Sequence, residues 1–595
     1  MALKDGKYEG TSHGFEGKTK VLVIVEGGLI SGVEVKEIND TEAVSHNAVK
    51  MIPQRIIAAQ TTDIDVVSGA TESSQGLIEA AKNAMEKAGT IDSRNVREIK
   101  NTPSISEKRI SNTADMYQEF DKEETTDLVI IGSGISGLSA AVQAGQDHIN
   151  AVVLEKLSAA GGNGGGVEGQ FALNSKRQQE LGIKITPNEI MTAEHQMGQY
   201  RANGAIWLDL INSSAKNLVW CQKNGVEYSG KVDNYHTGLF NTFHWFKDRH
   251  ASAGYVPQMV AKAKEYGVNF VFNTAAKHVL CDKGKVVGLI AETEDGKIIK
   301  YNTQAVVIAS GGIGGNRSLI QKQGWNTDNM ALTGMPSSVG DGYLMAQEVG
   351  AKDTMNESSQ LIMNYVQAFP TTTPPLYMDP INGNRGFTTG GKILFVNEEG
   401  DRFFNENIAA FNLMLQSMAM KQNKANYVIF TRNIFMDFAK GKGLDNGTDI
   451  LDTAVKENKG NTLYESDTIA GLAASFGLPA ENLVKTVQHY NDLCKQGKDT
   501  DFNKDTEMLT AIEKGPFYIG RVDQDYLVGI GGIGTNKRFE VIDDEHNAIP
   551  GLYATGMDGV MLYKNVYTMN MPGTACGFSV HSGRHAVKNA EKYFK

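Results

Sequence analysis

The spacing of apolar residues divides the chain before any motif is considered. Residues 21–38, VLVIVEGGLISGVEVKEI, form two β-rich runs around Gly27–Gly28, a pattern that predicts a hairpin. Helical spacing follows over 42–60 and 74–88, so residues 1–90 read as a small α+β unit. Residues 91–126 are polar, weakly periodic and rich in Ser, Thr, Asn and charge, which predicts a linker with room to pack on a neighbour. From Asp127 the text turns to LVIIGSGISGLSAA, a buried strand entering a glycine turn and then a helix. Strand and helix patterns alternate from there to residue 595, as in an α/β architecture. No repeat of solenoid period and no low-complexity tract interrupts them.

Composition narrows the reading. Hydrophobic residues make up 41% and charged residues 21%, ordinary values that exclude a disordered or fibrous chain. Glycine is in excess, at 64 of 595 residues, while proline stands at 13, so the glycines belong to tight turns and close backbone approaches. A formal charge of −11 with no long basic run argues against nucleic acid as a partner. The cysteines (Cys221, Cys281, Cys494, Cys576) are scattered with no CxxC, which excludes a disulfide framework, a cysteine-rich zinc or iron–sulfur site and a CxxCH haem attachment. No run of 18 apolar residues predicts a membrane span. The opening MALKDGKYEG lacks the apolar core of a secretory leader, so a cytoplasmic location is expected as written, and an extracytoplasmic one where a leader has been removed.

Gly132, Gly134 and Gly137 form GxGxxG directly after the apolar Leu128–Ile131 and directly before a helical Leu138-Ser-Ala-Ala. That context gives a tight turn, backbone contact with a pyrophosphate, and phosphate at a helix N-terminus. A second strand, AVVLEK, ends in Glu155 and Lys156, and Glu155 falls 18 residues after Gly137, where an acid for the adenosine ribose belongs. Gly161–Gly166, with Gly162, Asn163 and Gly164, offers further open backbone. Two more strand-to-glycine turns follow, AVVIASGGIGGN with Ser310, Gly311 and Gly312, and IPGLYATGMDG with Asp558.

This combination resembles the FAD domain of the fumarate reductase and succinate dehydrogenase flavoprotein superfamily, in its soluble flavocytochrome c and urocanate reductase branch. The resemblance implies a Rossmann-like FAD domain split into 127–363 and 508–595 around an inserted α+β capping domain of 364–507. It implies non-covalent FAD, with Asp558 or the Met557 backbone near the ribityl chain. Gly573, Thr574 and Ala575 would open a helix whose N-terminus faces the flavin. Residues 1–90 resemble an FMN-binding domain on the motif DVVSGATES: Ser68, Gly69 and Ala70 leave room for phosphate, and Thr71 is the implied site of covalent FMN attachment by a flavin transferase. Two flavins with no haem motif and no second GxGxxG imply an external electron donor, a reductase or reduced flavin.

In that branch FAD N5 gives hydride to one alkene carbon while an arginine protonates the other. The stretch ILFVNEEGDRFFNE places the implied arginine at Arg402, with Glu406 after it, and Arg385 matches a relay arginine whose partner glutamate reads as Asn382. Asp379 is the nearest other acid. His250, in RHASAG, occupies a segment that faces flavin or substrate in relatives. The polar anchors for dicarboxylates read instead as Val528, Met571 and Phe369, so fumarate is not the expected substrate, since its carboxylates would be buried unpaired. Tyr365, Phe369, Tyr377, Tyr563 and Tyr567 fall where the pocket is implied, whereas Tyr235, Phe240, Phe243, Trp245 and Phe246 read as core. A bulky or aromatic enoate or enone is therefore expected, with Arg402 or Tyr567 as proton donor. His236, His244 and His250 share no face suited to a metal, and none is expected. A ketosteroid dehydrogenase-like enzyme and a non-catalytic electron carrier stay open as alternatives.

Overall fold

The computed structural model describes residues 4–594 apart from 15–16, 27–28, 41, 60–61, 63–65, 67–70, 89–112, 118, 236–237, 370–385 and 561. Strands Lys18–Glu26 and Leu29–Ile38 pair antiparallel as the hairpin pattern predicts. Val21, Val23 and Val25 alternate inward from the middle strand. A third strand, Gly6–His13, was not legible as one, because its GKYEGTSH is polar and lies at the sheet edge. Helices Glu42–Ala59 and Thr71–Ala88 cover the sheet. The second approaches closely because Ala80, Ala81, Ala84 and Ala88 face the strands. Arg55 Nη2 donates to Glu292 Oε1 at 2.8 Å and joins this unit to the larger one.

The expected linker is partly structured. Thr113 Oγ1 donates to the Val279 carbonyl at 2.8 Å, and the Tyr117 ring stacks on His278 with centroids 4.0 Å apart. Lys122–Thr125 forms an edge strand parallel to Ile298–Asn302. Its KEET sequence hides this role, because an edge strand with both faces largely wet carries no apolar alternation.

The larger unit is built on a six-stranded sheet in the order Asn269–Val271, Ala151–Leu154, Leu128–Ile131, Ala305–Ile308, Ala548–Ala554, Glu540–Ile542. All neighbours pair in parallel except the last two. Leu128–Ile131, Ala151–Leu154 and Ala305–Ile308 are buried at every position, as a parallel sheet covered on both faces requires. Helices Ile135–Gln146 and Thr574–Phe594 pack on one face.

The inserted cap has its own four-stranded sheet, ordered Leu394–Asn397, Asn426–Thr431, Phe517–Arg521, Leu463–Ser466. Phe517–Arg521 lies past residue 507, so this sheet runs beyond the expected end of the capping domain. Phe369, Phe387, Phe430 and Phe435 fill the cap's core.

The strand–turn–helix at 128–146 closes on itself. Gly132 has φ +95°, and a Cβ at Gly137 would lie 1.9 Å from the Gly132 carbonyl oxygen. Gly137→Ala is therefore expected to destabilise the domain by about 1–3 kcal/mol and to reduce the flavin retained on purification. Thermal unfolding and flavin absorbance measure both, and unchanged values would show slack in the turn.

Candidate functional site

A cavity of about 740 Å³ runs along the carboxyl ends of the central strands. Its first end is lined by Gly132, Ser133, Gly134, Glu155, Lys156, Gly162, Asn163 and Gly164, joined by Ser310 and Gly311. A Cβ on Gly162 or Gly166 would meet nothing within 4 Å, so these two lining glycines leave room for a ligand at the backbone. Gly573, Ala575 and Cys576 bring the start of helix Thr574–Phe594 to the same cavity, with its N-terminal dipole available to an anionic ring. Open backbone, a helix N-terminus and an acid, Glu155, on the same wall together fit FAD.

Several expected cofactor residues act on the wall of the cavity. Glu155 Oε2 accepts from Ser133 N at 2.9 Å and Ser133 Oγ at 2.7 Å, fixing the first turn. Lys156 pairs with Asp341. Asn163 ties two loops, donating to the Leu527 carbonyl at 3.2 Å and accepting from Met335 N at 3.1 Å. Asp558 is 1% exposed and does not line the cavity; its carboxylate accepts from Ser310 Oγ and from Gly311 and Gly312 N–H, while Met557 is the lining residue. Thr574 Oγ1 is hydrogen-bonded to the Tyr563 hydroxyl and is fully buried. Gly137 and Gly312 pack against backbone behind the lining.

The second end is apolar, lined by Leu361, Met363, Leu413, Val528, Tyr567 and Met569, with Tyr235, Phe243 and Glu168 beside them. The aromatic expectation is thus partly redistributed. Tyr235 and Phe243, read as core, reach the cavity. Phe369 belongs to the cap core, and Tyr563 packs edge-on against Trp207. Burial raises the Tyr567 phenol to about 12, against the hydrogen bond that Thr574 offers its charged form.

Arg402 lies elsewhere, and the expectation that it protonates substrate is corrected on geometry. Its Nε and Nη2 donate to Glu406 at 2.8 Å, and Nη1 and Nη2 to Asp499 at 3.0 and 2.7 Å. Its side chain is 5% exposed and its guanidinium is 5.2 Å from the Tyr490 ring and 5.0 Å from Phe502. Burial works against its charge, but the two carboxylates outweigh it and hold the proton more tightly than in a free arginine. His250 Nδ1 is 3.2 Å from the Gly166 carbonyl, behind the lining. Arg385, with Asn382, Asp379 and Tyr377, lies outside the described residues, as do Ser68, Gly69, Ala70 and the Thr71 side chain. Thr71 begins helix Thr71–Ala88.

His244 is 3% exposed and bonded to Ser175 and the Thr242 carbonyl, and burial lowers it to about 4. His236 lies outside the described residues. Asp209, His581 and His585 bring ligand atoms within 4.8 Å. There His581 Nδ1 faces the Asn217 amide N–H at 3.3 Å, which leaves its ring proton on Nε2, toward Asp209.

No local pattern points to Glu194. It is 3% exposed and accepts from Thr568 Oγ1 at 2.5 Å and Asn570 Nδ2 at 2.8 Å, so it braces both neighbours of Met569, whose φ is +56°. Its partners are 374 and 376 residues away, beyond any local pattern. Burial raises it to about 7, against those two hydrogen bonds.

The cavity and its sheet define a flavin-binding oxidoreductase fold. Residues 127–570 match the FAD binding domain family and residues 14–86 the FMN-binding domain, and the chain belongs to the FAD binding domain family. It is 29% identical over 493 residues to the vinyl phenol reductase of Lactiplantibacillus plantarum, across 79% of this chain and 97% of that one. It is 28% identical over 563 residues to the urocanate reductase of Eggerthella lenta, across 92% of this chain and 86% of that one. The fold matches an open flavocytochrome c3 fumarate reductase with a TM-score of 0.55 at 22% identity, over 80% of this chain and 79% of that one. No helix among the described residues is long and apolar enough to cross a membrane.

Two outcomes follow. Arg402→Ala leaves Asp499 buried without its paired cation and Glu406 with Lys504 alone, and is expected to destabilise the cap by about 3–5 kcal/mol. Loss of turnover with unchanged thermal unfolding would return Arg402 to the chemistry. Glu194 is raised in the fold from about 4.3, so its stabilising contribution is full below that value and is lost as pH rises through about 7. Glu194→Gln should flatten the stability slope between about pH 5 and 7 in denaturant titrations; an unchanged slope would mean that the group is not desolvated.

Proposed function

We propose that this protein reduces a carbon–carbon double bond conjugated to an aromatic or other electron-withdrawing group. The observation that carries the proposal is a cavity whose glycine-rich end fits FAD and whose other end is apolar, with Tyr567 as a protic group. The relatives named for reducing vinyl phenol and urocanate support the reaction class. FAD would be held by Gly132, Gly134, Gly162 and Gly164, by Ser310 and Gly311, and by the helix opening at Gly573. The chemistry bound FAD supplies is hydride donation to one alkene carbon. FMN would be joined to Thr71 by a flavin transferase, with electrons from an external reductase or reduced flavin.

Tyr567 protonates the other carbon. Its phenol stays neutral at working pH because burial raises it, so it gives its proton only to a strongly basic carbon as the hydride arrives. Val528 and Met569 exclude water and pack the substrate's flat face. A dicarboxylate finds no cationic partner on this part of the wall among the described residues.

Tyr567→Phe should lower alkene reduction by about 10²–10⁴ while chemical reduction of the flavins is unchanged. The assay is single-turnover oxidation of prereduced enzyme by a panel of aryl enoates, enones and vinylarenes. Full activity in the variant would remove Tyr567 from the role, and no turnover with any panel member would overturn the reductase reading.

A further inference from the structure

Glu168 is the acid of the apolar end. It lies just after the glycine run, is 9% exposed and lines the cavity. Tyr235 lines the cavity too and donates its hydroxyl hydrogen bond to Glu168 Oε2 at 3.2 Å. The tyrosine is held firmly. Its backbone has φ +47°, its N–H donates to Asp233 Oδ1 at 3.0 Å, and its ring packs on Phe243 and Trp245 with centroids at 4.6 and 5.6 Å. Trp245 Nε1 donates to the same Asp233 oxygen at 2.9 Å, fixing that support. Strained backbone braced this way is a feature of functional sites. Among the described residues the cation on the lining is Lys156, which is committed to Asp341.

We infer that Glu168 and Tyr235 form a hydroxyl-recognition subsite, which selects an uncharged aryl alkene bearing a phenol-type hydroxyl and accepts that hydroxyl's proton. The inference rests on the reductase reading and narrows its substrate class. A carboxylate substrate would meet Glu168 with no free cation on the cavity lining to offset it, whereas a phenol donates to Glu168 and accepts from Tyr235 once that hydroxyl turns its proton from Glu168 to the ligand. Burial raises Glu168 against the Tyr235 hydrogen bond and the charges of His250 and Arg249, the other groups facing it, which makes it a stronger base toward a bound phenol than a solvated carboxylate.

The phenol O–H breaks and its proton passes to Glu168. The oxygen's negative charge spreads through the ring to the terminal alkene carbon, which forms a C–H bond with the Tyr567 proton. The ring-attached carbon, made electron-poor as that C–H bond forms, would take the hydride that bound, reduced FAD supplies with its two electrons. Glu168 returns its proton to the phenolate oxygen, and water reprotonates Tyr567. The sum is one hydride and one proton added across the double bond.

The test uses holoenzyme with oxidised flavin and follows the shift in FAD absorbance on titration with 4-ethylphenol, 4-ethylanisole and 3-phenylpropanoate. In the wild type the phenol should bind about tenfold or more tighter than the other two, the worth of a hydrogen bond to a charged group. Glu168→Gln and Tyr235→Phe should each erase most of that preference, and Glu168→Gln should improve binding of the carboxylate. Flavin content and melting temperature confirm that each variant is folded. Equal binding of the three ligands, or a preference untouched by both variants, overturns the subsite. Reoxidation of chemically reduced enzyme by 4-vinylphenol separates the two readings. A phenol preference with no reoxidation by any aryl alkene defeats reduction and leaves the subsite; reoxidation without the preference defeats the subsite and leaves reduction.

Discussion

The Asp558 carboxylate is the point on which the cavity depends. It is buried, and it accepts from Ser310, Gly311 and Gly312 at 2.8–3.2 Å, while the carbonyls of Met557 and Asp558 accept from Gly531 and Ile533. Three glycine-rich turns distant in sequence are thereby held around one acid. Such a carboxylate is costly to bury and is tolerated because three donors satisfy it. Each strand beside it, Ala305–Ile308 and Ala548–Ala554, can then end at the same level and open the crevice where a dinucleotide fits.

The parts of the site that local chemistry dictates were legible. Gly132, Gly134 and Gly137 announce themselves because a strand, a tight turn and a helix must follow one another within a few residues. The helix opening at Thr574 was readable for the same reason. What could not be read were contacts between distant segments. Asp558 or the Met557 backbone is expected near a ribityl chain; Met557 lines the cavity, while the partners of Asp558 are turn residues 246–248 positions away. Tyr235 and Phe243 looked like core because an aromatic cluster has the same sequence signature whether or not one face of it is open. Glu168 was not singled out in the sequence, because nothing local says which way an acid after a glycine run points its carboxylate.

The two ends of the cavity obey different physics. At the glycine end, backbone N–H groups and a helix dipole suit a polyanion without requiring free cations. At the apolar end, the side chains remove water and supply few charges, so each remaining polar group matters more. Glu194 and Glu168 are both held there against desolvation, one bracing the loop around Met569 and the other facing the open space. A ligand entering this end exchanges water for apolar contact and keeps at most one or two hydrogen bonds, so its hydrogen-bonding group decides orientation.

Arg402 shows why a familiar residue cannot be assigned by its neighbours in sequence alone. An acid must release its proton during the reaction, and a guanidinium starts above about 12. Two carboxylates raise it further, so the pairing that makes Arg402 a good structural cation makes it a worse acid. Lys504, 3.4 Å from Glu406, completes a network of two cations and two anions inside the cap. Hydrogen bonds from Arg402 and from the backbone of Lys504 and Phe502 overcome desolvation and hold Asp499 well below the usual carboxylate range. That balance keeps Arg402 and Asp499 charged as a pair. A group that holds its proton this tightly can brace the cap but cannot pass that proton on.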